Sequence, residues 1–209
     1  LYDSRMLEKQ KLIFDLAKNN KSVLEIGVYM GHSLLIMLLA NPKLDITCID
    51  IEDRYSLPAV EYLKENFKDA NIKFLKGDSV KLLKNIKEDF DLFHIDGSHS
   101  SFIIAKETLL CLKIKKTNYI KILFDDIDFM KEVKKSILTI FTVSKEITTE
   151  CKGRNCYLEF KFNDNEIKSF ESFYINYLFS SPIKRFFKFF YSIFFTNRLL
   201  LFIKRKYKF

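Results

Sequence analysis

The stretch FHIDGSHSS, residues 93–101, ends an apolar run with an aspartate, Asp96, and places an imidazole, His99, three residues later. A carboxylate and a neutral imidazole at this spacing are the residue types of proton transfer. Each also has a plain reading, Asp96-Gly97 as a turn and His99 as a solvated loop residue. A second apolar run ends in adjacent acids, Asp125 and Asp126, which would otherwise cap a helix starting near Phe129. If the two run ends lie side by side, three carboxylates converge and repel one another unless a cation stands among them. His94, two residues before Asp96, belongs to the run itself and reads as a packed histidine facing away from the His99 loop.

Five runs carry the residues that could position such a site: SVLEIGV (22–28), DITCIDI (45–51), NIKFLKGD (71–78), FDLFHID (90–96) and YIKILFDD (119–126). They are short, rich in Val, Ile, Leu and Phe, and lack strict alternation, as strands covered on both faces do. Segments of helix length separate them, Gly31–Ala40, Pro58–Lys68, Ser79–Ile86 and Ser101–Lys113, each long enough for a crossover. The expectation is a doubly wound, Rossmann-like α/β sheet. A helix is predicted over Phe129–Ile140, and TVSKEITTE and CYLEFKF, split by the turn signal Lys152-Gly153-Arg154-Asn155, predict a closing antiparallel hairpin.

In such a sheet ligands bind beyond the carboxyl ends of the strands. The first run ends Glu25-x-Gly27-x-x-x-Gly31; glycines there let a ligand approach the backbone, and the following helix start favours an anionic group. The second ends at Asp50, where an acid accepts hydrogen bonds from ribose hydroxyls, with Glu52 and Asp53 close enough to be confused with it. The third ends Gly77-Asp78-Ser79, a contact to a base or, equally, a helix cap with Ser79 as N-cap.

Together these motifs resemble the class I S-adenosylmethionine (SAM)-dependent methyltransferases, LEIGVYMGHS standing for their first motif and CIDIED for their acidic second. The resemblance covers residues 20–162 and implies the strand order 3-2-1-4-5-7-6 with strand 7 antiparallel. The full GxGxxG is missing, which favours a methyltransferase over a nicotinamide site. As cofactor-binding residues the resemblance implies Glu25, Gly27, Gly31, Asp50, Asp78 and Ser79; Ser33 is a further candidate for the donor's carboxylate or a helix-end residue. FDLFHIDGSHSS followed by ILFDDID is similar to the methyltransferase-24 group and its metal-dependent sugar O-methyltransferase relatives of macrolide pathways. That likeness implies Asp96, Asp125 and Asp126 on Mg²⁺ and His99 as catalytic base. The chemistry is coherent: a hard cation on carboxylate oxygens acidifies a hydroxyl, a neutral imidazole takes its proton, and catalysis consists largely of aligning oxygen, methyl and sulfur.

The chain has 209 residues, 48% of them hydrophobic, enough for one sizeable core. A methyltransferase domain with an N-terminal helix over 1–165 and a tail over 166–209 are expected. The charge is uneven: Pro182–Phe209 holds eight bases and no acid, so the remaining 27 bases balance the 27 acids and the tail carries the whole +8. Lys184, Lys188, Ser192 and Thr196 make a narrow polar stripe on an otherwise aromatic and aliphatic helix. The apolar stretch Phe189–Ile203 is shorter than the roughly twenty residues that span a bilayer, so the tail is expected to lie in the interface of an anionic membrane, or to pack on the body or a second copy of the chain. Nucleic acid is not an expected partner. Four cysteines without CxxC spacing suggest reduced thiols rather than a disulfide framework, with Cys151 and Cys156, facing each other across the hairpin, as the minority alternative of a single disulfide. The charged amino end lacks a signal-peptide core, and Leu1 in place of Met suggests a trimmed chain or an unusual start codon. The expectation is a cytoplasmic enzyme, peripheral at the inner membrane face, that methylates a hydroxyl of a glycan or glycolipid intermediate. A catechol-like small-molecule O-methyltransferase and a non-catalytic membrane-associated protein on the same fold are the alternatives.

Overall fold

A computed structural model describes residues 4–114, 119–127, 137 and 146–179. The elements run α1 (Ser4–Lys18), β1 (Ser22–Ile26), α2 (His32–Ala40), β2 (Asp45–Asp50), α3 (Ser56–Asn66), β3 (Asn71–Lys76), α4 (Ser79–Leu82), β4 (Leu92–Ile95), α5 (Ser101–Ile114), β5 (Tyr119–Phe124), β6 (Glu146–Lys152), β7 (Asn155–Lys161) and α6 (Asp164–Phe179). The strands form one sheet in the order β3-β2-β1-β4-β5-β7-β6, with β7 antiparallel to β5 and β6 antiparallel to β7. This is the expected order and sense.

The central strands are apolar throughout because each face is covered. Leu24 and Ile26 of β1 join Phe93, Ile95, Ile122 and Phe124 on one side of the sheet. Val23 joins Leu92, Ile46 and Leu123 on the other, beneath α1 and α2. The period of two along each strand thus feeds two cores. Phe170 of α6 is buried in the first core, so the expected domain boundary at residue 165 falls at the start of a helix that packs on the body. Burying such a ring contributes about 2–3 kcal/mol.

Some boundaries differ from expectation. α3 begins at Ser56 rather than Pro58, because a proline in the first helical turn has no intrahelical N–H bond to lose. α4 stops at Leu82 rather than Ile86, where Asn85 N–H turns back to the Leu82 carbonyl at 2.9 Å. Cys151 and Cys156 are joined as a disulfide, against the expectation of free thiols: the turn at Gly153-Arg154 puts them directly opposite one another in the hairpin register. Cys48 and Cys111 are free and buried. No helix among the described residues is long and apolar enough to cross a membrane. The expected helix over Phe129–Ile140, apart from Ile137, and the basic tail from Pro182 onward lie outside the described residues.

Candidate active site

The strand order reverses between β1 and β4, and the strand ends there carry the chemistry. Main-chain bonds extend the parallel pairing past the strands: Gly27 N–H donates to the Ile49 carbonyl (2.8 Å), Asp96 N–H to Ile26 (2.8 Å), Gly77 N–H to Asp50 (2.8 Å) and Asp125 N–H to Ile95 (3.1 Å). Asp96 and Asp125 are therefore held in place by the sheet itself. Gly27 has φ 92°, and a Cβ there would lie 2.3 Å from the Asp96 carbonyl oxygen and 2.8 Å from the Gly97 Cα. Only glycine lets the β1 loop pass this close to the end of β4.

Beside this crossing lies a cavity of about 500 Å³, within the range of small-ligand pockets. Its wall includes Gly27, Val28 and Tyr29 after β1, Asp50, Ile51 and Glu52 after β2, Gly77, Asp78 and Ser79 after β3, and Asp96, Gly97 and Ser98 after β4, with Ile103 and Glu107 from α5. Asp50 also organises its own wall. One carboxylate oxygen accepts from Val28 N–H (2.9 Å) and Tyr29 N–H (2.8 Å), the other from Glu52 N–H at 2.9 Å. Asp78, not the expected Ser79, is the N-cap of α4, accepting from Lys81 N–H at 3.2 Å; the Ser79 hydroxyl instead donates to Glu107.

Glu25, Gly31 and Ser33 do not reach the cavity wall. Glu25 is fully buried below it, where it accepts from the Ser33 hydroxyl and pairs at 2.9 Å with His94 Nδ1, its register neighbour on β4. Burial alone would lower the His94 pKa, but the hydrogen bond to Glu25 and its charge raise it. The packed histidine of the sequence reading is thus hydrogen-bonded to a buried acid. Gly31 carries φ 70° and faces Ala59 of α3.

At the ends of β4 and β5 the predicted acids do converge. Ligand atoms of Asp96, His99 and Asp126 lie within 4.8 Å of one another, as do those of His94, Asp96 and Asp125. His99 Nε2 is 3.6 Å from an Asp126 carboxylate oxygen and half exposed. Burial, then the neighbouring Asp125 charge, push the Asp96 carboxyl up to about 8. Burial would raise Asp125 too, but His94 and Lys9 outweigh it and hold it below the ordinary carboxylate value. Two cations of the chain enter this cluster: Lys9 of α1 pairs with Asp125, and Arg154 of the hairpin turn pairs with Asp126. The turn is anchored by Ile127 N–H to the Arg154 carbonyl (2.9 Å) and by Gly153 N–H to Glu8 of α1 (3.2 Å). Hard oxygen donors in excess of the counter-charge make a set that suits a divalent cation.

Sequence reasoning missed Lys9, Arg154 and Glu107. Nothing local separates Lys9 from Lys11 or Lys18. Glu107 left a signal: an acid on the apolar side of α5, one turn after Ile103 and one before Cys111.

The chain matches a family model described as O-methyltransferase over residues 8–134. An Arabidopsis thaliana protein whose name provisionally places it among the caffeoyl-CoA O-methyltransferases is 37% identical over 98 residues, 45% of this chain and 42% of that protein. The chain thus spans about two-fifths of the length of that curated relative. In structure it is similar to the SAH-bound methyltransferase PaMTH1 of Podospora anserina, with a TM-score of 0.61 at 15% identity over 74% of this chain and 78% of that one. It is also similar to the O-methyltransferase TomG of Streptomyces achromogenes, which acts in tomaymycin synthesis and was solved with SAM, at TM-score 0.58 and 16% identity over 74% and 80%. The fold is that of the class I SAM-dependent methyltransferases, and with the model matched over more than half of its residues the chain belongs to the O-methyltransferase family.

Proposed function

We propose that this chain is a SAM-dependent O-methyltransferase that works with Mg²⁺ or another divalent cation and methylates a hydroxyl of a glycan or glycolipid intermediate. The observation that carries the reading is the meeting of Asp96, Asp126 and His99 at the edge of a cavity formed by the strand ends. Asp96, Asp125 and Asp126 would hold the cation, which when bound acidifies the acceptor hydroxyl. His99, half exposed and beside Asp126, accepts the proton that the hydroxyl releases. The loop from Gly27 to Tyr29, braced by Asp50, offers close backbone approach to the donor, and Asp50 and Glu52 stand where ribose hydroxyls would be received. Ordering donor and acceptor side by side supplies alignment, the main requirement of a methyl transfer from a sulfonium.

The basic aromatic tail supports the membrane part of the proposal. Eight bases over Pro182–Phe209, each worth on the order of 1 kcal/mol near an anionic surface, would hold the enzyme at the inner membrane face beside a lipid-linked acceptor. A second reading, a catechol-like small-molecule O-methyltransferase, is favoured by the relative named for caffeoyl-CoA. Turnover that survives deletion of residues 182–209 selects this second reading; turnover on a lipid-linked acceptor that depends on the tail selects the first. The central test is calorimetry with S-adenosylhomocysteine (SAH), followed by turnover with and without EDTA. Binding, with turnover abolished by EDTA and by His99→Ala, is expected. Full activity in excess EDTA would remove the cation.

A further inference from the structure

The end of the cavity between β3 and α5 holds a carboxyl that the proposed chemistry does not use. Glu107 is 1% exposed and lines the cavity. One of its oxygens accepts from the Ser79 hydroxyl; the other, Oε2, is buried without a hydrogen-bond partner among the described residues. A buried carboxyl oxygen left unpaired costs about 1–3 kcal/mol or more, so it marks either a defect or a place reserved for a donor. The other acid at this end, Asp78, is committed to the cap of α4. Ile103, one helical turn before Glu107, gives the same end an apolar wall, the surroundings of a flat heterocycle rather than of a ribose or an amino acid. Asp50 and Glu52 lie toward β2, leaving the β3 end for the base.

We infer that Glu107 reads the purine of the methyl donor, its free oxygen accepting from the 6-amino group of adenine while Ser79 holds the carboxyl in place. The assignment rests on the SAM reading proposed above. Burial, with Asp78 adding to it, pushes the Glu107 carboxyl up to about 7 against the opposing Ser79 bond, so at pH 8 the carboxylate is the main form and only accepts. A 6-oxo purine then meets oxygen with oxygen. A site built to pair an N–H rejects the analogue that lacks it far more strongly than an apolar pocket does.

The experiment is calorimetry at pH 8 on the full chain with two ligands, SAH and its deaminated analogue S-inosylhomocysteine. The wild type is expected to prefer SAH by at least tenfold. Glu107→Gln keeps the volume and can turn its amide N–H₂ toward a 6-oxo group. It should therefore bind the inosyl ligand at least fivefold more tightly than the wild type does, with SAH affinity nearly kept. Glu107→Met, checked for folding by circular dichroism, should bind both ligands within about twofold of each other. A Glu107 that only ties α4 to α5 would weaken both ligands equally, and an unchanged ratio in Glu107→Gln overturns the assignment while leaving the SAM reading intact. No SAH binding by the wild type overturns both.

Discussion

Replacing Lys9 by methionine removes the cation paired with a carboxylate that is almost fully buried, the side chains being 13% and 1% exposed for Lys9 and Asp125. Breaking a buried pair from one side costs about 3–5 kcal/mol, because the remaining charge has no compensation. The partial exposure of Lys9 argues for the lower end. An independent ceiling comes from the alternative open to Asp125, which is to take up a proton. At pH 7 protonating a carboxylate of ordinary pKa near 3.9 costs about 4 kcal/mol. The two estimates meet at roughly 3–4 kcal/mol, or about 6–16 °C in Tm for a chain of this size. The ceiling also sets the pH dependence: at pH 5 protonation costs only about 1.5 kcal/mol, so the deficit must shrink to about half or less. Urea denaturation of wild type and Lys9→Met at pH 5 and pH 7, without and with 10 mM Mg²⁺, measures it. Mg²⁺ should stabilise the variant more than the wild type, since a cation that binds the folded state alone adds stability by mass action. A deficit below about 1 kcal/mol at pH 7, or one equal at the two pH values, would refute the claim that Lys9 supplies counter-charge to the acid cluster.

Gly27→Ala combines a φ of 92° with a Cβ 2.3 Å from the Asp96 carbonyl oxygen; left-handed strain and overpacking together cost about 2–5 kcal/mol, and SAH binding should weaken with stability, whereas wild-type-like denaturation would show that the crossing is looser than described. Glu25→Gln leaves His94 buried without its anionic partner and should destabilise by about 3 kcal/mol at pH 6, read from the urea midpoint. The metal-free wild type should lose stability as pH rises from about 4 to 8. Asp96, pushed up to about 8, keeps in the folded state a proton that the unfolded chain releases, which costs about 1.4 kcal/mol per pH unit for one proton. His94, raised by Glu25, acts in the same sense above pH 6.5, while Asp125, held low, withdraws its contribution only below about pH 4. Denaturant midpoints at pH 5, 6.5 and 8 should fall in that order, and a flat or rising series would contradict the buried proton on Asp96.

Much of this architecture was legible in the residues themselves. Apolar runs without alternation announced strands covered on both faces, and segments of crossover length between them announced a parallel sheet. The short Gly153-Arg154 turn announced the closing hairpin. The same runs ended in Asp50, Asp78, Asp96, Asp125 and Asp126, and because ligands gather where strands end, the chain order alone brought these acids to one side of the sheet. Which of them meet was decided only by the tertiary structure. Glu25 and His94 are 69 residues apart and pair because β1 lies beside β4 in one register. Lys9 and Asp125 are 116 apart and meet because α1 crosses the end of β5 beside the hairpin. Asp50 turns part of its carboxylate to the loop amides, Ser79 yields the cap to Asp78, and Glu107 reaches a cavity that belongs to other strands. Periodicity records which face of its own element a residue occupies, and burial follows from that. A partner on another element is set by register, crossover geometry and helix docking, long-range properties that no local spacing encodes.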